Sequence, residues 1–191
     1  TRPFADRIRT STPVTSVSRT ADGLEVTARG QGPTTFDRVV LATHSDQALA
    51  LLADAHADEK EIAGAVRYQP NLATLHTDSR LLPARRRAWA SWNVQVVDDA
   101  RRCVTMTYHM NRLQGLDSRH QLCVTLNRDD DIDPTLVHAR IPYHHPVFDA
   151  GAIVAQRRRS EIQGRGGLYW AGAWWGYGFH EDGARSGAEV A

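Results

Sequence analysis

Hydrophobic and polar residues alternate over the first part of the chain in a way that predicts β-strands. Residues 13–18 alternate as a half-buried strand does, Asp22-Gly23 is typical of a tight hairpin turn, and residues 24–28 return. Residues 36–42 carry an apolar run, which is typical of a strand covered on both faces. The chain therefore begins with a predicted β-rich region.

Helical spacing replaces this alternation over residues 45–66, where apolar side chains recur at helical intervals between 48 and 55. Asp58 stands three residues before Glu61, a spacing that resembles the capping box of a second short helix. The pattern of apolar runs between turns over residues 68–127 predicts a mostly antiparallel sheet. Its candidate strands are 72–76, 89–97, 103–110 and 121–126, and a helix at 151–163, a strand at 168–172 and helix-like residues 181–191 follow.

Composition excludes several classes of protein. The 191 residues are 41% hydrophobic and 24% charged, which is ordinary for a globular protein and not for a disordered chain or a coiled coil. A net charge of +1 without a basic stripe argues against nucleic-acid binding. No apolar stretch approaches the ~18 residues of a membrane span, and no secretory signal is visible. Cys103 and Cys123 lie outside any CxxC motif; we expect buried thiols and a cytoplasmic location.

The C-terminal segment carries the strongest sign of chemistry. A strand ending at Gly172 leads into a loop rich in glycine and aromatic residues, and a helix with small residues in its first turns follows. Such a helix start offers free N–H groups to a ligand, and the loop aromatics can form the wall of a planar ligand's site. A turn with core aromatics is the alternative that this pattern leaves open.

The sequence resembles the flavin-containing amine oxidase superfamily, and within it the bacterial NAD/FAD-binding protein group, which is also similar to the flavin domain of plant cyclopropane fatty acid synthases. The motifs that carry the resemblance are Thr12-Pro13-Val14, residues 36–44, and Tyr169-Trp170-Ala171-Gly172 followed by residues 176–187. The resemblance implies an α/β (α+β) fold: a partial FAD-binding doubly wound domain plus a mostly antiparallel substrate-domain sheet. The partial FAD-binding domain would comprise residues 1–66 together with residues 164–191. The substrate-binding domain would comprise residues 67–163.

The resemblance also implies an FAD cofactor and a set of contacts to it. The backbone of Val14 would meet the adenine, and Ala42 and Thr43 would lie where the chain passes the ribose and phosphates. Gly172 and Ala173 would lie near the pyrophosphate and ribityl chain.

The start of the last helix would complete these contacts. Glu181, Asp182 and Gly183 would direct backbone N–H groups at the pyrimidine edge of the flavin. Phe179 and His180 would lie against the isoalloxazine ring.

Two departures from the family pattern bear on this interpretation. Ala173 stands where many relatives carry an acid. The GxGxxG turn that lets a backbone approach a pyrophosphate is absent, and in relatives it precedes the point that matches Thr1. We therefore expect the C-terminal portion of a flavoprotein, in which apolar strand edges near 39–41 and 168–171 would be exposed to a partner chain or to aggregation.

The predicted substrate sheet holds further candidates. His76 could act as an acid or base beside the flavin, or be a structural histidine. The sequence has no lysine in the region where amine oxidases carry one facing the flavin, which argues against ordinary amine oxidation. His144-His145 would point to opposite sides of an extended chain, so we predict no metal site there.

Arginine runs at 85–87 and 157–159 are either solvated faces or sites for an anionic headgroup or an acidic partner, which leaves peripheral membrane contact open. The functional hypothesis is the C-terminal part of an FAD-dependent oxidoreductase that moves hydride between flavin and a small-molecule or lipid-like substrate. The alternative is a binding module that keeps the fold without the cofactor.

Overall fold

The computed structural model describes residues 2–96 and 105–191. Contacts divide the chain into two units, the first formed by residues up to Tyr68 together with Pro146–Ala191 and the second by Gln69–His145. Residues 146–163, which the sequence interpretation places in the substrate domain, pack in the first unit because Ala152 and Ala155 belong to its hydrophobic core. The functions predicted for the two domains stay predictions.

Two small sheets organise the first unit. Strands β1 (Val14–Thr20), β2 (Gly23–Ala28) and β3 (Thr34–Phe36) form an antiparallel sheet in that order, and β1 and β2 make the hairpin that the sequence predicts. Strand β4 (Val39–Leu41) pairs in parallel with β10 (Leu168–Trp170), although they are far apart in sequence. This parallel pair brings the two most informative motifs of the sequence side by side.

Helices cover this framework. They are α1 (Ser45–Leu51), α2 (Ala57–Gly64), α4 (Ala150–Arg157) and α5 (His180–Ala188). The core of the unit is formed by fully buried side chains from its strands and helices, among them Val17, Leu24, Ile62, Ile162, Leu168 and Trp170.

The capping box of α2 differs from the predicted Asp58–Glu61 pair. The buried carboxylate of Glu59 accepts the backbone N–H of His56 at 2.8 Å and also binds Arg19. Tertiary pairing with an arginine of β1 therefore selects Glu59 for the capping role.

The second unit is built on a five-stranded sheet in the order β6-β7-β8-β5-β9. Its strands are β5 (Arg67–His76), β6 (Trp92–Val94), β7 (Met106–His109), β8 (Cys123–Leu126) and β9 (Val137–Val147), and the short helix α3 (Met110–Gln114) follows β7. The pairs β6–β7, β7–β8 and β8–β5 are antiparallel, as predicted. Parts of the predicted strands 89–97 and 103–110, with Cys103, lie outside the described residues.

The sequence pattern does not predict β9, the longest strand. Pro142 and Pro146 interrupt it, and a proline cannot donate to a ladder, so it is tolerated on an edge strand. β9 lies at the edge of the sheet and is largely exposed, so its sequence shows no apolar alternation. In the described part of the chain, no helix has the length and apolar character that crossing a membrane requires.

Candidate functional site

The carboxyl ends of β4 and β10 lie next to each other because the two strands are parallel. Ala171 N–H continues the ladder by donating to Leu41 O at 2.9 Å. One step further, Trp174 Nε1 donates to the carbonyl of Thr43 at 3.2 Å. Thr43 and Gly172, both predicted to contact the cofactor, therefore lie together at the carboxyl ends of β4 and β10.

Gly172 is the tightest point of this arrangement. A Cβ on Gly172 would lie 2.4 Å from Trp174 Nε1 and 3.4 Å from Thr43 O, so no larger residue fits. Its N–H donates to Ser186 Oγ at 2.9 Å, and that hydroxyl donates to Gly183 O at 2.9 Å. The end of β10 is thereby fixed to helix α5.

Ala173 and Gly183 hold the strand end and the helix close together. A Cβ on Gly183 would be in ordinary contact with Ala173, at 3.7 Å from its N and 3.8 Å from its Cβ. Ala173 has no carboxylate, so the acidic contact that the sequence resemblance implies at this position has no counterpart.

An apolar groove of about 490 Å³ runs along the outer side of β4. Three predicted cofactor residues line it, Val14 from β1 and Ala42 and Thr43 from the end of β4, together with Phe36 and Val40. Val14 and Val40 are 39% and 46% exposed, unusual for valines beside a core. Among the residues that the structure describes, no aspartate or glutamate lines the groove, which suits a planar or apolar group of a ligand.

The loop before α5 is organised by Asp182. Its buried carboxylate accepts the backbone N–H groups of Tyr177 at 2.9 Å and Phe179 at 3.1 Å, and Arg185 at 2.5 Å. The N–H of Phe179 is the main cause that lowers the pKa of Asp182, so the carboxylate stays charged. A Cβ on Gly176 would lie 2.4 Å from the Asp182 side chain.

The remaining predicted residues of this loop point outward. Phe179 is 52% exposed, and His180 and Glu181 are exposed as well. Tyr177, one of the loop aromatics that the sequence offers as the wall of a planar ligand's site, is more exposed still, at 77%. The side chain of Asp182 serves the loop itself, a role that the sequence interpretation missed, although an acid in the first turn of a helix is a recognisable capping signal.

These residues fit one side of a flavin-nucleotide site. The site comprises the ends of two parallel strands, a glycine turn without room for a side chain, an adjacent helix start and an apolar groove. Among the strands of the described residues, β4 pairs only with β10, so its outer edge is free along the groove.

His76 lies in the second unit, at the end of β5, and is fully buried. Its Nδ1 accepts the backbone N–H of Asp78 at 3.1 Å, which leaves Nε2 to donate to Thr125 Oγ1 at 2.7 Å. Thr125 in turn lies 2.8 Å from Thr107 Oγ1. Both ring nitrogens are engaged inside the sheet, so this geometry favours the structural histidine over the acid or base.

Burial lowers the pKa of His76, so the folded state holds the neutral imidazole. Unfolded His76 titrates near ~6.5 and binds a proton more readily, so stability should fall as pH drops below that value toward the lowered folded pKa. We expect urea unfolding of the chain to show this decline between about pH 7 and 5. His76→Gln should be less stable at pH 7 but depend less on pH, and an unchanged pH slope would contradict this assignment.

Cys123 sits opposite His76 in the ladder and is fully buried. Burial raises the pKa of its thiol to about 11, so the group is a protonated core side chain, as the sequence predicts. In the described parts of the chain, no group of His, Cys, Asp and Glu residues could hold a metal ion.

The fold is a mixed α/β architecture, as predicted. No family model matches the chain. No curated protein matches it either.

Solved structures do match. A CLA-producing fatty acid isomerase from P. acnes has a TM-score of 0.58 at 17% identity, over 94% of this chain and 46% of that one. Putrescine oxidase bound to putrescine has a TM-score of 0.61 at 12% identity, over 99% and 49%. Cyclohexylamine oxidase from Brevibacterium oxydans IH-35A has a TM-score of 0.58 at 12% identity, over 93% and 46%.

At these identities the likeness shows the fold, which is one that amine oxidases use. The chain spans about half the length of the solved chains that it matches.

Proposed function

We propose that this chain is part of a flavin-dependent oxidoreductase and that its first unit supplies one wall of the FAD site. The observation that carries the proposal is the groove beside β4, where Val14, Ala42 and Thr43 lie together next to the Gly172 turn. The amine oxidases with this fold, one of them studied for its cofactor binding, support the same class of chemistry.

The residues of this wall have separate tasks. Val14 and Ala42 offer apolar surface, and the exposed turn at Thr43 offers polar groups beside it. Gly172 keeps the end of β10 free of side-chain bulk, and the first turn of α5 presents backbone N–H groups. A bound flavin supplies two-electron redox chemistry, while the protein supplies position and electrostatics.

A complete site of this kind needs a glycine-rich strand–turn–helix unit, and the sequence contains no GxGxxG. The free edge of β4 offers a place where a strand of such a unit could pair. Coverage of about half of the matched chains agrees with a portion of a larger flavoprotein fold. The predicted lipid-like substrate draws support from the fatty acid isomerase among the matched structures.

We expect the purified chain to bind FAD weakly, because it supplies only one wall of the site, and quenching of flavin fluorescence on titration measures this binding. Val14→Asp places a charge in the groove and should weaken binding by about tenfold or more, since burying an unpaired charge against a ligand is costly. Val154→Asp is the matched control, because Val154 is 55% exposed on α4 and does not line the groove.

A folded chain that does not take up FAD, or that loses binding equally in both variants, would contradict the cofactor assignment. That result would favour the alternative, a binding module that keeps the fold without the cofactor. The missing GxGxxG and the Ala173 position are the observations that support this alternative.

A further inference from the structure

A second cavity lies wholly within the second unit, on the segment that follows β5. Its polar lining consists of Ser79, Arg80, Arg86 and Gln121, and Leu82 and Trp89 contribute apolar surface. Among the described residues no aspartate or glutamate lines it. The cavity therefore combines hydrogen-bond donors with an apolar wall.

The two arginines of the cavity differ in their partners. Arg80 is bound by the buried carboxylate of Asp78 through Nε at 2.9 Å and a terminal nitrogen at 2.5 Å, so much of its charge is balanced. Arg86 forms none of the ion pairs found in the described parts of the chain, and its guanidinium lies 5.0 Å from the ring centre of Trp89. Arg86 thus brings an unbalanced positive charge to the cavity.

The aromatic and amide groups beside Arg86 are held in place by their own contacts. Trp89 Nε1 donates to Pro83 O at 2.7 Å, and the ring packs edge-on against His109 at 5.2 Å. Oε1 of Gln121 lies 2.8 Å from His109 Nε2. With its oxygen engaged by the histidine, Gln121 has its amide nitrogen left to donate.

We propose that this cavity binds the oxyanion group, a carboxylate or a phosphate, of a small amphiphilic ligand. Arg86 receives the oxyanion with Gln121 and Ser79 as neutral donors, and the apolar body of the ligand lies against Trp89 and Leu82. A guanidinium with adjacent neutral donors and no competing carboxylate matches an oxyanion and disfavours an amine. The proposal stands on the second unit alone and does not depend on flavin binding.

The test is calorimetric titration of the whole chain with sodium decanoate. Decylamine serves as the charge-reversed match, inorganic phosphate as the oxyanion without an apolar body, and phosphatidylglycerol vesicles as the membrane arm. We expect decanoate to bind more tightly than phosphate, decylamine not to bind, and the decanoate affinity to fall as salt rises from about 50 mM to about 0.5 M. Binding to the vesicles without binding to monomeric decanoate would overturn the proposal.

Matched variants of the arginine run 85–87 distinguish binding in the cavity from binding to a diffuse charged surface. Arg86→Gln should weaken decanoate binding about tenfold, the effect of one charge-assisted hydrogen bond. Arg85 and Arg87 do not line the cavity. Replacing either one with glutamine removes the same charge as Arg86→Gln and should change the affinity for decanoate by about twofold at most.

Gln121→Glu puts a carboxylate into the cavity at nearly constant volume and should abolish binding, with circular dichroism confirming that the variant is folded. Equal losses in the three arginine variants, equal affinity for decylamine, affinity for phosphate equal to that for decanoate, or no binding by the folded chain would each overturn the proposal.

Discussion

Replacing Trp170 with alanine is expected to lower the free energy of unfolding by about 3–5 kcal/mol, the usual cost of deleting a large buried aromatic side chain. Trp170 is fully buried in the core of the first unit and packs edge-on against Trp174, with ring centres 6.5 Å apart. Its backbone carbonyl accepts from Gln163 Nε2 at 2.7 Å, and its backbone N–H donates to Gln163 Oε1 at 3.0 Å. Urea unfolding followed by circular dichroism measures the change.

Trp170→Phe is the informative control. The indole Nε1 of Trp170 is buried and has no hydrogen-bond partner among the described residues, so phenylalanine removes an unsatisfied donor while keeping an aromatic ring. We therefore expect Trp170→Phe to lose less than about 2 kcal/mol. A loss as large as that of the alanine variant would contradict the assignment of the indole N–H as an unsatisfied donor.

Local patterns predict the parts of this fold that local interactions determine. The Asp22-Gly23 hairpin follows from turn chemistry, and the strands of the second sheet follow from apolar runs between turns. Strand β9 could not be predicted this way, because an exposed edge strand with prolines buries too little to show alternation.

Pairing between distant segments decides the rest. No local sequence pattern predicts that β4 and β10 pair with each other. Only the family resemblance leads one to expect Thr43 and Gly172 close together. Tertiary contacts also determine what individual polar residues do. His76 looks like a candidate acid or base in the sequence, and the neighbouring strand instead supplies Thr125 as a buried partner.

Asp182→Ala should produce the second large effect, a melting temperature lower by roughly 4–10 °C, because the backbone N–H groups of Tyr177 and Phe179 would lose their shared acceptor. The charge of Arg185 would lose its partner as well. Glu181→Ala is the matched control on the same turn. Glu181 is exposed and accepts none of these hydrogen bonds. The melting temperature of the Glu181→Ala variant should therefore stay within about 2 °C of that of the parent.

The pH dependence of the same pair identifies the carboxylate as the cause. The folded pKa of Asp182 is lowered, chiefly by the N–H of Phe179, so its stabilisation is present above the unfolded pKa of ~3.9 and is lost as pH falls through the folded value. The difference in melting temperature between the parent and Asp182→Ala should therefore be full at pH 7 and shrink below about pH 4. A difference that persists unchanged at low pH would indicate that shape, and not charge, holds the loop. Because the loop leads into the helix start that would face a flavin, Asp182→Ala should also weaken FAD binding at pH 7 while Glu181→Ala retains it.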